Sequence, residues 1–389
     1  MLIKKEFKLI IPFIFITLGL GSFYIPYFSK SNLKVQNIDV ALNFDGDNAK
    51  TYIVDQLERG FRIPGTQERA DCANYFISKF EEIDSNFTYV LHNFTIHSTN
   101  CQNVLFKLNE NQNNIVILGA HYDTRAKATE DLINKSAHVP GANDGASGSA
   151  VLIELAKVLY MRRENLSSQI WFLFFDAEDQ GYDEEGRPGM VGWGWVEGST
   201  NFVNNIDNFY DSQNEEFDAM ILLDMVGGTS LRFINEERST SSLLDELFAI
   251  GRELGYTTQF PSNPISNGIT DDHIAFVNIG IPSADLIINF WDNPYWHTTQ
   301  DNINNIDSSS LEATGRTVEQ FIYNNYFNTT TEIYKGNYPW YIDIDASSLD
   351  TIMFIIIIIT IGGIVILIYN VIKQKSFANK IEPQRKIKE

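Results

Sequence analysis

Five short segments of the chain combine imidazole and carboxylate side chains of the kind that hold a metal ion. His121 and Asp123 stand in GAHYDT, Asp144 in PGANDGASG, Glu178 and Asp179 in FFDAED, Asp224 in LLDMVG and His297 in YWHTTQDN. His121, Asp144, Asp179, Asp224 and His297 offer the mixed nitrogen and oxygen donors that suit zinc. Asp123, two residues from His121, is placed to accept that imidazole's second N–H. Neighbouring side chains on a turn diverge, so Glu178 and Asp179 take separate roles. Asp179 reads as a ligand, and Glu178 as a general base that takes a proton in one step and returns it in the next. Cys72 and Cys101 are the only cysteines, too few and too far apart in sequence for a cysteine zinc site. They form a single disulfide or remain two thiols, and the sequence leaves both open.

The elements that must position these groups are short apolar runs. Asn114–Ala120, Gln169–Phe175, Ala219–Leu223 and Ser283–Ile288 read as buried central strands. Each chemical segment except the one with Asp144 follows such a run, as expected in an open α/β sheet, where the loops at the carboxyl ends of the strands gather into one crevice. Asp144 lies just before a helix over Ala146–Met161, whose Val151, Leu152, Leu155, Val158 and Leu159 recur at helical spacing, and Ser308–Tyr326 gives a second long helix. No convincing repeat interrupts the pattern. The fold class is therefore α/β, with a mixed, mainly parallel sheet flanked by helices in one domain over 45–332.

The ends of the chain are apolar. Leu9–Phe28 follows Lys4, Lys5 and Lys8 and reads as a signal anchor, with a cleavable signal peptide as the alternative. Thr351–Ile372 reads as a second transmembrane helix, and the basic residues after it mark a cytoplasmic flank. This predicts cytoplasmic tails at 1–8 and 373–389, a linker at 29–44 and a juxtamembrane connector at 333–350. The lipid bilayer is then a partner, and the catalytic domain is extracytoplasmic at the cell membrane. Five N-x-S/T triplets, at Asn86, Asn93, Asn134, Asn165 and Asn328, would permit glycosylation there. A formal charge of -21 argues against nucleic acid as a partner. It suits peptides with free amino termini, or serves solubility alone.

Taken in order, H-x-D at His121–Asp123, N-D-G at Asn143–Gly145, the acidic pair Glu178-Asp179, L-D at Asp224 and H-T at His297–Thr298 resemble the zinc aminopeptidase family with a two-metal site. The resemblance covers roughly residues 45–332. Within that family Arg62-Ile63-Pro64-Gly65-Thr66, Asp271-Asp272-His273-Ile274 and Trp296 before His297 resemble the glutaminyl-peptide cyclotransferases. Asp179 departs from the glutamate frequent in the family, and the 180–195 loop is longer and richer in glycine than in animal cyclases.

The resemblance implies two competing mechanisms. In a cyclase, one zinc on Asp144, Asp179 and His297 polarises the side-chain amide of an N-terminal glutamine, Glu178 shuttles the proton, and Asp224 and Asp271 hold the network. Asp271 would hydrogen-bond Glu178 and help bind the departing ammonia. Trp296 and either Trp193 or Trp195 would line the pocket. In a metallo-aminopeptidase, His121 and Asp224 complete a second metal position and Asp144 bridges two zinc ions. A third reading, a catalytically silent binding ectodomain, would require a missing ligand or base, and none is missing.

Overall fold

The computed structural model describes residues 40–328, all within one compact unit. These residues form eight strands in chain order: β1 (Thr88–Ile96), β2 (Thr99–Leu108), β3 (Asn114–His121), β4 (Gln169–Phe175), β5 (Glu216–Leu223), the short β6 (Asn235–Glu236) and β7 (Ser266–Asn267), and β8 (Ser283–Leu286). The main sheet runs β1-β2-β4-β3-β5-β8. Pairings β4·β3, β3·β5 and β5·β8 are parallel, while β1·β2 and β2·β4 are antiparallel. The mixed, mainly parallel sheet is thus present, and its four parallel strands are the four apolar runs of the sequence.

Among the described residues seven α-helices flank it: α1 (Gly46–Glu58), α2 (Gln67–Ile83), α3 (Ala146–Tyr160), α4 (Glu197–Asn204), α5 (Ser241–Glu253), α6 (His273–Asn278) and α7 (Ser308–Tyr326). Three of them start where an oxygen side chain can accept orphan N–H groups, at Asp45, Thr66 and Asp307. Alternation along the strands divides the core into two layers. Val116, Leu118, Ile170, Phe172, Ile221 and Leu223 pack against α1, α2, α3, α5 and α7. Ile115, Ile117, Trp171, Leu173, Met220 and Leu222 face α4 and α6. Because both faces are covered, β4 is buried at every position and reads as a continuous apolar run rather than an alternating one.

Close approach of α3 to the sheet depends on Gly148, where a Cβ would lie 2.0 Å from the Leu223 carbonyl oxygen. That approach brings the segment before α3, with Asp144, to the carboxyl end of β5.

A transmembrane helix at each end was part of the expected fold, and this is corrected. Among the described residues no helix is long and apolar enough to cross a membrane. The longest of them, α7 with 19 residues, carries Glu312, Arg316 and Glu319. Segments 9–28 and 351–372, with the tails and the 333–350 connector, lie outside the described residues. The architecture described is that of the α/β domain. Cys72 and Cys101 are both buried free thiols, so no disulfide joins them.

Candidate metal centre

The carboxyl ends of β3, β4, β5 and β8 lie side by side, so the residues just beyond them converge. His121 closes β3 opposite Phe175 of β4. Its Nε2 lies 3.1 Å from Asp144 Oδ1 and 3.2 Å from Asp224 Oδ1. On the other side of Asp144, His297 Nε2 lies 2.9 Å from Asp179 Oδ1 and 3.6 Å from Asp144 Oδ2. Two buried triads result, His121–Asp144–Asp224 and Asp144–Asp179–His297, each with its ligand atoms within 4.8 Å of one another. Asp144 belongs to both.

Backbone geometry at the turns is specific. Ala177, Met225 and His297 adopt left-handed φ of 60°, 51° and 54°, which for residues with a Cβ costs of order 1–3 kcal/mol each. The first turns the chain just before Glu178, the second just after Asp224, and the third is at the imidazole itself. Gly145 follows Asp144 at φ 98°, and a Cβ there would meet the Asp123 carbonyl oxygen at 2.6 Å and the His121 ring at 3.2 Å.

A set of hydrogen bonds fixes these side chains. Asp123 Oδ1 accepts from the Glu178 N–H (2.9 Å), while Oδ2 accepts from the Asp179 N–H (3.3 Å) and Gln180 Nε2 (2.9 Å). Its separation from His121 Nδ1 is 3.5 Å, so Asp123 mainly orients the acidic turn and only secondarily the imidazole. Asp301 does the same for Asp144, accepting from the Asn143 and Asp144 N–H groups at 2.8 and 3.0 Å. Arg125, fully buried, donates to Asp179 Oδ1 (3.3 Å) and to the Asp179, Gly181 and Arg187 carbonyls, tying the 180–195 loop to the centre. Arg62 of the R-I-P-G-T segment donates to the Tyr122, Pro140 and Gly141 carbonyls, which braces the chain leading into Asp144.

The electrostatics of the centre suit a cation. Burial raises Asp179 and Asp271 to about 7 and also lifts Asp224. Burial pushes His121 down, but Asp123, Asp144 and Asp224 around it outweigh that and hold the imidazole well above its usual range. His297 goes the other way, held well below by burial and by Arg125. Glu178 is raised well above the carboxylate range, first by burial and then by Asp179, Asp271 and Asp272. Asp179 Oδ2 is buried without a hydrogen-bond partner. Crowded carboxylates, a neutral imidazole beside them and an orphan acceptor together fit a divalent metal of zinc type.

A cavity of about 380 Å³ opens over the centre, lined in part by Asp144, Glu178, Asp179, Trp195, Asp224, Asp271, Trp296 and His297. Trp195 and Trp296 stack on His297 with centroids 6.0 and 3.8 Å away. Trp193, an expected pocket residue, does not reach the cavity; it is buried with Phe94, Cys101 and Ala177. Asp271 does line the cavity, but its Oδ1 accepts from the Asp272 N–H at 2.6 Å and its Oδ2 has no partner, so the expected bond to Glu178 is not made. Behind it lies Asp285, held well above the carboxylate range by burial with Asp271 beside it. Sequence reasoning assigned no role to Asp301, Arg125 or Asp285. Asp301 stands four residues after His297 in a segment already singled out, and that proximity was the available signal.

Strand-end imidazoles and carboxylates around a shared aspartate, on a mainly parallel sheet, define a metal-dependent enzyme of the α/β class. Residues 103–322 match the family model for Peptidase family M28. The chain belongs to that family. A crystal structure of Bacteroides thetaiotaomicron glutaminyl cyclase bound to N-acetylhistamine is 30% identical, with a TM-score of 0.66 over 73% of this chain and 99% of that one. A Zn-dependent exopeptidase from Parabacteroides distasonis is 29% identical, with a TM-score of 0.65 over 73% of this chain and 100% of that one. Aminopeptidase YwaD of Bacillus subtilis is 27% identical over 220 residues, which are 54% of this chain and 40% of that protein. The activity is accordingly that of a zinc-dependent glutaminyl-peptide cyclotransferase or metallo-aminopeptidase.

Proposed function

We propose that the chain is a glutaminyl-peptide cyclotransferase, which converts the N-terminal glutamine of peptides to pyroglutamate with release of ammonia. The observation that carries this reading is Asp271. It is buried and lines the cavity together with Glu178, a second carboxylate acceptor beside the base. Such an acceptor suits the N–H bonds of a departing ammonia, a group that peptide hydrolysis does not release.

Asp144, Asp179 and His297 would hold zinc, which when bound supplies Lewis-acid polarisation of the glutamine side-chain carbonyl. Trp195 and Trp296 wall the cavity and keep the glutamine side chain and its α-amine close together, which favours the intramolecular attack by orientation. The α-amine nitrogen bonds to the side-chain carbonyl carbon, and the bond from that carbon to the amide nitrogen breaks. Glu178 takes the proton lost by the amine and returns it to the leaving nitrogen, so ammonia departs neutral. Its raised proton affinity suits a group that must carry a proton between two nitrogens. Asp271 receives hydrogen bonds from the leaving group.

A second reading, metallo-aminopeptidase, is favoured by one specific observation: the His121–Asp144–Asp224 triad is intact and offers a second metal position. The two readings part on product. Ammonia and a pyroglutamyl peptide from Gln-peptides support the first; free N-terminal amino acids, with two zinc ions per chain, support the second.

A further inference from the structure

A second cavity, of about 280 Å³, lies beside the catalytic one and shares Trp296 with it as a common wall. Its lining is largely apolar, with Met225, Leu231, Phe233, Ile265 and Ile288 among the residues. Two side-chain amides in this lining are each half satisfied. Asn143 is 4% exposed; its Oδ1 accepts from the Gly227 N–H at 2.9 Å, which leaves the buried Nδ2 without an acceptor. Asn289 donates through Nδ2 to Asp292 Oδ2 at 2.5 Å, which leaves its buried Oδ1 without a donor. Because each amide is oriented by the bond it makes, the unused atoms are one donor and one acceptor. A buried polar atom left unpaired costs on the order of 1–3 kcal/mol, so the pair calls for an occupant. Gly228, in the same lining, stands against Asn143: a Cβ there would lie 3.1 Å from Nδ2.

We infer that this second cavity binds the substrate's own chain downstream of the N-terminal residue. One peptide unit supplies the carbonyl that Asn143 Nδ2 lacks and the N–H that Asn289 Oδ1 lacks, and the apolar wall takes the side chain attached to it. The common Trp296 wall makes the path short, since a chain whose first residue sits in the catalytic cavity passes over that ring into the next one. The enzyme therefore selects for an apolar residue shortly after the N-terminus. This inference rests on the reading of the catalytic cavity as a site for peptide N-termini.

The test uses the full chain loaded with zinc and compares glutamine amide, Gln-Gly-Gly amide and Gln-Gly-Leu amide. The leucine peptide is expected to show a KM about tenfold below that of the glycine peptide at equal kcat, a difference of roughly 1.4 kcal/mol. Gly228→Ala, which crowds Asn143 Nδ2, and Thr229→Trp, which fills the exposed mouth, should each remove that gain and leave turnover of glutamine amide as in the wild type. Equal KM values for the two peptides, or a leucine preference that survives both variants, overturns the inference. Failure of the cyclase reading is seen separately, as no ammonia from glutamine amide. In that event calorimetric titration with N-acetyl-glycyl-leucine amide, which has no amino terminus to react, still decides. Binding that both variants abolish supports the cavity's role; no binding, or binding unchanged in the variants, overturns it.

Discussion

Glu178 and Asp301 represent two kinds of residue at the centre, one that meets the substrate and one that acts through a neighbour. Glu178 lines the cavity and is the group assigned to carry the proton. Glu178→Gln keeps its size and removes its basicity, so kcat should fall about 10²–10⁴-fold while zinc content, measured by metal analysis, stays as in the wild type. Asp301 is buried, and its two oxygens accept the backbone N–H groups that set Asp144 in place. Asp301→Asn retains one good acceptor in place of two. It should weaken zinc binding by about 10–100-fold, as loss of a group supporting a ligand typically does, and excess zinc should restore activity. Competition with a chelator reads the affinity directly; an unchanged affinity would mean that Asp144 is held by its turn alone.

Packing between α3 and β5 determines whether Asp144 and Asp224 meet. Gly148→Ala would place a methyl 2.0 Å from the Leu223 carbonyl oxygen, so either helix or strand must shift. An overpacked contact of this kind costs about 1–3 kcal/mol, to be read as a lower denaturation midpoint with reduced zinc affinity. Between α5 and α7, Glu246 accepts from Asn325 Nδ2 at 2.9 Å, and burial raises it from an ordinary 4.5 to about 7. The folded state therefore holds a proton that the unfolded chain has lost between those values, and stability falls as pH rises through that window. Glu246→Gln should match the wild type near pH 4 and exceed it above pH 7 by roughly 1–3 kcal/mol; a difference independent of pH would contradict the assignment. The parallel strands were legible in the sequence because burial on both faces leaves continuous apolar runs, as in Gln169–Phe175. The β1–β2 hairpin was not, since β1 is mostly exposed and carries apolar Tyr89 and Leu91 on its exposed face and polar His92 on its buried one, which blurs the alternation. The residues of the two triads could be read from strand ends and, for Asp144, from the start of a helix, but which tryptophan of the 180–195 loop faces the cavity could not. Trp193 and Trp195 are two residues apart, and tertiary contacts with Phe94 and with Arg125, rather than spacing, send one inward and leave the other over His297.

For the whole molecule the acidic centre links folding to metal. Asp144, Asp179 and Asp224 crowd two histidines in a buried space, so a cation that binds only the folded state stabilises it by mass action. At a free zinc concentration about a thousand times the dissociation constant the gain is about 4 kcal/mol. Removal of zinc by a chelator should therefore lower Tm by several degrees, and re-addition should restore it. The segments read from the sequence as membrane spans lie outside the described residues 40–328, among which no helix is long and apolar enough to cross a membrane. Cyclisation of an N-terminal glutamine, as against hydrolysis of the bond after it, is tested most directly by product analysis by mass spectrometry of a zinc-loaded reaction with a Gln-peptide, with Glu178→Gln alongside. The expected product is a pyroglutamyl peptide, lower in mass by one ammonia and uncut, formed by the wild type and nearly absent with the variant. Release of free glutamine and a peptide one residue shorter would contradict it.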